Sequence, residues 1–104
     1  MAYFQFKKSD LTYKDYQWKT TEDDSAQVMG FPDNVILNRH EGYEMVAFID
    51  RYIRNQPGWK SQSDERKRES GNRIESMIHN HLPSLTRSHA NVKLWVGYNW
   101  EKSI

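Results

Sequence analysis

The clearest hydrophobic pattern in the chain has the i, i+3, i+4, i+7, i+8 spacing that places apolar side chains on one face of an amphipathic helix. It consists of Met45, Phe48, Ile49, Tyr52 and Ile53. Before it, Asn38 and Glu41 form a pair that resembles a capping box, which favours a helix start. After it, Pro57-Gly58 favours a helix end. The pattern predicts a helix that begins near residue 38 and ends before residue 57.

A second helical pattern follows, with a charged first half and an apolar second half. Ser61 and Asp64 can open this helix, and Pro83 stops it. Residues 64–69 are all charged, whereas the apolar positions of the second half are Ile74, Met77, Ile78 and Leu82. We expect only the second half to contact the core, and Ser70-Gly71 to weaken the helix further.

The two ends of the chain favour extended structure. Residues 2–7 alternate around Phe4 and Phe6, and residues 11–19 are rich in Tyr, Thr and Trp, which predicts an aromatic β-hairpin. A short helix opening at Asp10 is the alternative.

Residues 88–100 alternate as a strand does, and β-branched and aromatic residues slightly favour a strand there. The same stretch also fits a helix capped by Ser88, with one face formed by Leu85, Val92, Trp95, Val96 and Trp100.

These elements predict an α+β fold, in which the N-terminal aromatic β-hairpin packs on two or three helices. The 104 residues suit a single compact domain over residues 1–104. The fold is mainly α instead if residues 88–100 are helical. Aliphatic residues are few, but four Trp, six Tyr and four Phe can supply the core area.

Composition excludes several classes of function. The chain has no Cys, so disulfides, thiolate metal sites and a Cys nucleophile are excluded. The first ten residues do not resemble a signal peptide, and no run of 18 apolar residues occurs. We therefore expect a cytoplasmic protein without a membrane partner.

Charge is unevenly distributed along the chain. Residues 1–50 hold five Lys/Arg and nine Asp/Glu, net −4, whereas residues 51–104 hold ten and five, net +5. Either the two halves attract each other on folding, or the surface has a basic patch.

Three of the four histidines lie close together, in the stretch MIHNHLPSLTRSH at residues 77–89. On a helix His79 and His81 lie about 200° apart and cannot share an ion, so we expect no metal and no cofactor. Glu75, one turn before His79, is the expected surface partner of that imidazole. No catalytic motif occurs, and a hydrolase using His79, His81 or His89 with a carboxylate is a remote alternative.

The basic second half suggests nucleic-acid binding as an alternative function. Its candidate residues are Arg66, Lys67, Arg68, Arg73 and Arg87, which could neutralise phosphates. Acidic residues are interspersed on the same predicted helix, and they would repel a phosphate backbone.

Trp59 is the candidate for binding another protein. It follows Pro57-Gly58 between two predicted helices, with Arg51, Arg54 and Lys60 nearby. A rigid aromatic residue among basic residues is typical of interface hot spots. Alternatively, Trp59 folds back and covers the helix end. The sequence predicts a small non-enzymatic protein-interaction domain, similar to an adaptor or inhibitor, for which homodimerisation is possible.

Overall fold

The structure is a computed structural model that describes residues 4–19 and 30–101. Over these residues the chain has helices but no strand. The helices are α1 (Gly42–Arg54), α2 (Asp64–His81) and α3 (His89–Asn99), and the 3-10 turns are Lys8–Asp10 and Pro57–Trp59. The α+β prediction is therefore wrong, and the mainly helical alternative describes the molecule.

Helix α1 confirms the first hydrophobic pattern, because all five residues of the predicted stripe are buried. Its start differs from the prediction. Glu41 is the N-cap, while the Asn38 side chain accepts a hydrogen bond from the backbone N–H of His40 at 3.0 Å. Asn38 therefore stabilises the turn before the helix rather than the helix terminus.

Helix α2 has the exposed first half and the buried second half that the sequence predicts. The Ser63 hydroxyl accepts a hydrogen bond from the backbone N–H of Arg66 at 3.2 Å and so caps the N-terminus. Ile74, Met77 and Ile78 are fully buried, and residues 64–69 remain largely exposed.

The glycine of this helix has a packing role that its sequence does not suggest. A Cβ added at Gly71 would lie 2.5 Å from Cε1 of Phe6. Phe6 is almost fully buried, so its ring occupies the space that any larger side chain at position 71 needs.

Helix α3 occupies the C-terminal stretch for which strand and helix were both possible. The Ser88 hydroxyl accepts from the backbone N–H of Asn91 at 3.1 Å, and His89, Val92 and Val96 form the buried face. Leu85 lies outside this face and is 85% exposed. A strand here is wrong because propensity differences of about 0.5 kcal/mol per residue are small beside the burial of these side chains.

The predicted N-terminal hairpin is also wrong. Residues 4–19 form the N-terminal segment, which is irregular apart from the 3-10 turn and lies across α1 and α2; residues 2 and 3 lie outside the described residues. Phe6, Leu11 and Tyr16 point into the core. The alternation of Phe4 and Phe6 resembles that of a strand, but no second strand among the described residues pairs with this segment.

Carboxylates of the helices take the place of a partner strand. Asp50 accepts from the backbone N–H of Phe6 at 2.9 Å. Glu75 accepts from those of Thr12 at 2.8 Å and Tyr13 at 3.1 Å. Buried or half-buried backbone donors need acceptors, and α1 and α2 provide them.

Candidate functional site

Trp59 packs back onto the end of α1. Its ring centroid lies 5.8 Å from that of Tyr52 and 5.1 Å from that of Trp100. The Arg73 guanidinium lies 4.3 Å from the Trp100 ring and donates a hydrogen bond to its carbonyl. These contacts agree with the covering role, and a contribution of Trp59 to partner binding stays a prediction.

The three basic residues assigned to the same interface have different surroundings. Arg54 is exposed and forms an ion pair with Asp50 at 3.0 Å, and Lys60 is exposed beyond the 3-10 turn. Arg51 is half-buried, and burial lowers the pKa of its guanidinium. A role of these three residues in binding a partner stays a prediction.

The five residues of the nucleic-acid alternative lie in three places. Arg66 and Arg73 line a shallow cleft with Trp100. Lys67 and Arg68 lie beside Phe4, each 5.9 Å from its ring centroid. Arg87 belongs to the loop between α2 and α3, where its guanidinium donates to the Ser84 carbonyl at 2.9 Å. Binding of nucleic acid by these five residues stays a prediction.

His79 pairs with Asp15 of the N-terminal segment rather than with Glu75. Its Nε2 lies 2.9 Å from a carboxylate oxygen of Asp15, and its ring stacks on Tyr13 at 3.8 Å with planes 6° apart. Hydrogen bonds to Asn80 and Asp15 raise the pKa of His79, and the hydrogen bond to His79 lowers the pKa of Asp15.

Glu75 could not serve as the surface partner of His79, because its carboxylate is completely buried. Besides the two backbone donors, it accepts a hydrogen bond from the Tyr16 hydroxyl at 2.7 Å. Burial and this hydrogen bond raise the pKa of Tyr16, so the phenol stays protonated and donates.

The other two histidines lie in opposite environments. His81 is exposed at the end of α2, whereas His89 is 3% exposed and packs edge-on against Phe48 at 5.9 Å. Within residues 4–19 and 30–101, no group of three or more His, Asp or Glu side chains is arranged to hold a metal ion.

The exposed side of α3 carries large apolar side chains. Leu94 is 68% exposed and Tyr98 is 82% exposed, one turn apart. Asn91 and Gly97 are exposed beside them. We call these four residues the α3 face. The i, i+4 spacing of Leu94 and Tyr98 was the available signal, but it has meaning only once the stretch is known to be a helix.

Comparison of the chain with protein-family models, curated proteins and solved structures gives no match. None of the helices in the described parts of the chain combines the length and apolar character that crossing a bilayer requires.

Proposed function

We propose that the protein is a small protein-interaction domain that binds its partner through the α3 face. The observation that carries this proposal is the exposure of Leu94 and Tyr98 on one side of α3, opposite the fully buried Val92 and Val96. The helix is held to the core by one face and presents the other to solvent.

The composition of the α3 face supports a protein partner. None of its four residues is charged, although 28% of the chain is. Interface cores are depleted in charged residues and enriched in Tyr. Burial of a Leu side chain contributes about 1.5–3 kcal/mol, so a partner that covers Leu94 and Tyr98 gains substantial binding energy.

The α3 face also suits self-association, since two uncharged surfaces bring no like charges together. A second copy of the chain is therefore one possible partner, and a different protein with an apolar surface is the other. The cytoplasm remains the predicted location of this interaction.

Substitution of the α3 face tests the proposal. Leu94→Gln and Tyr98→Gln remove apolar area from exposed helical positions, so we expect thermal stability to change little. Leu85→Gln is the matched control, because Leu85 is even more exposed but lies in the loop before α3. Trp59→Ala is less suitable, since loss of its packing on Tyr52 and Trp100 lowers stability as well.

Two measurements read out the result. Sedimentation velocity reports self-association, and capture from a lysate of the source cells reports other partners. The proposal is supported if a dimer or a captured protein is lost with Leu94→Gln and Tyr98→Gln but kept with Leu85→Gln. It is refuted if all three variants behave like the parent chain.

A further inference from the structure

The N-terminal segment folds around a cleft that lies apart from the α3 face. The cleft has a volume of about 630 Å³, within the range of about 300–1,000 Å³ that is typical of small-molecule sites. Three lysines line it together with aromatic and aliphatic side chains. We call it the lysine cleft, after Lys7, Lys8 and Lys14.

Among the described residues, no ion pair neutralises the positive charge of the lysine cleft. None of the described residues that line it is acidic. Within the described residues, the ion pairs involve Arg54, Arg68 and His79 but none of the three lysines. None of the three ammonium groups is therefore paired with a carboxylate of the described residues.

Nearby carboxylates are engaged elsewhere, which explains this imbalance. Asp10 pairs with Arg68 at 3.0 Å and accepts from the backbone N–H of Lys7 at 2.9 Å. Asp15 pairs with His79, and the Glu75 carboxylate is buried beneath the segment. Although residues 1–50 are acidic in total, the described residues 4–19 carry four Lys and only two Asp.

Aromatic rings hold one of the ammonium groups in position. Lys8 Nζ lies 4.3 Å from the centroid of the Trp18 ring and 5.8 Å from that of Tyr43, distances at which a cation is attracted to a ring face. Trp18 itself packs on Gly42, where any Cβ would overlap the indole.

Both sides of the lysine cleft are anchored to the helices. One side is tied to α1 by the hydrogen bond from Phe6 to Asp50. The other side is tied to α2 by the hydrogen bonds to Glu75. It is also tied to the start of α1, where the Gly42 N–H donates to the Gln17 carbonyl at 2.7 Å. A cleft anchored on both sides needs little ordering when a ligand enters.

We propose that the lysine cleft binds a small organic phosphate that carries a flat apolar ring, of which a nucleotide is the simplest example. Lysine ammonium groups bind phosphate as point charges. Tyr13 and Trp18, which are both partly exposed, supply aromatic surface for the ring. The ligand class follows from this pairing of cations with rings.

Isothermal titration calorimetry of the full chain with ADP tests the proposal, with adenosine and inorganic phosphate as separate probes. We expect ADP to bind more tightly than either probe, because only ADP engages both parts of the lysine cleft. We also expect its affinity to fall as salt is added, because the lysines are exposed.

Lysine variants locate the binding. Lys8→Gln and Lys14→Gln should each weaken ADP binding by about fivefold or more, since each removes a charge contact of about 1 kcal/mol. Lys60→Gln is the matched control, because Lys60 is an exposed lysine outside the lysine cleft. Thermal melts establish that each variant is folded.

The proposal is overturned by any of three results: no binding of ADP, equal affinity for ADP and inorganic phosphate, or equal loss of affinity with Lys60→Gln. Leu94→Gln should leave ADP binding unchanged, since the α3 face and the lysine cleft share no residue. Failure of one proposal is thus distinguishable from failure of the other.

Discussion

Two helical glycines, Gly71 and Gly97, have opposite surroundings. A Cβ at Gly71 would lie 2.5 Å from the buried Phe6 ring, whereas one at Gly97 would meet only the Tyr52 hydroxyl at 3.5 Å, an ordinary contact. Alanine within a helix is favoured over glycine by about 0.5–1 kcal/mol. The surroundings of each glycine therefore decide whether substitution by Ala raises or lowers the free energy of unfolding.

We predict that Gly97→Ala raises the free energy of unfolding by about 0.5–1 kcal/mol. Gly71→Ala should lower it by about 1–3 kcal/mol, because the Phe6 ring must move out of a packed core. Urea denaturation followed by circular dichroism measures both. Equal stabilisation by the two substitutions would show that Phe6 does not pack on Gly71.

His89 combines burial with two ring nitrogens that have no hydrogen-bond partner among the described residues. Burial, followed by the positive charge of Arg51, lowers its pKa from 6.5 to about 4. Its place in the first turn of α3, at the positive end of the helix dipole, also disfavours a cation. His89 is therefore neutral in the folded protein at neutral pH.

The lowered pKa makes His89 a source of acid sensitivity. The unfolded chain binds a proton near pH 6.5 that the folded chain accepts only near pH 4. The free energy of unfolding is therefore unaffected above pH 6.5. It falls as the pH decreases from 6.5 to about 4, by on the order of 1–3 kcal/mol. We predict that His89→Phe, which suits packing against Phe48, flattens the dependence of unfolding free energy on pH between about 4 and 6.5.

His81→Gln is the control for this prediction, because His81 is exposed at the end of α2. Its stability should follow the parent chain over the whole pH range in chemical denaturation. A His89→Phe curve parallel to that of the parent would contradict the role assigned to His89.

Glu75 joins the N-terminal segment to α2 through one carboxylate that accepts three hydrogen bonds. We predict that Glu75→Gln lowers the free energy of unfolding by about 1.5–3 kcal/mol. The NH2 group of the Gln side chain would face hydrogen-bond donors of the N-terminal segment, and the negative charge that strengthens these hydrogen bonds would be lost. Glu69→Gln, an exposed change on the same helix, should have an effect within about 0.5 kcal/mol. Similar effects of both in urea denaturation would count against the buried network.

Hydrophobic periodicity was enough to predict α1 and α2, although the predicted N-cap of α1, Asn38, was wrong. The spacing of the apolar residues from Met45 to Ile53 fits a helix and not a strand. Pro83 marks where α2 must end. Helix α3 was harder, because Val92 and Val96 favour a strand by propensity but a helix by spacing. Its N-cap, Ser88, was visible in the sequence and agrees with the helix.

The N-terminal segment could not be predicted from its own residues. Phe4 and Phe6 alternate as in a strand, but the acceptors for this backbone are Asp50 and Glu75, 44 and 63 residues away. Hydrophobic periodicity reports which side chains are buried; it does not report what satisfies the backbone.

The candidate sites show the same limit. Trp59 was conspicuous in the sequence, but only the positions of Tyr52 and Trp100 reveal that it covers a helix end. The lysine cleft was missed because charge was summed over residues 1–50, which are net negative, whereas residues 4–19 alone carry four Lys and two Asp. The structure adds that both of these Asp side chains pair with residues of α2.

The opposite charges of the two halves do meet in the folded molecule. Asp10 pairs with Arg68, and Asp15 pairs with His79, each pair joining the acidic half to the basic half. These exposed pairs contribute modestly. Glu75 provides a stronger link, although it is an acidic residue of the basic half and binds backbone N–H groups rather than lysines. The halves are thus joined mainly by buried hydrogen bonding.

The dependence of the N-terminal segment on Glu75 has a consequence for folding during synthesis. Residues 4–19 emerge from the ribosome well before α2, and their acceptor at residue 75 is still missing. Chain closure over 63 residues must precede docking of the segment, and such non-local contacts slow folding relative to simple helical bundles. We therefore expect the hydrogen bonds from Thr12 and Tyr13 to Glu75 to form only after α2 has folded, and later than the local turns of α1.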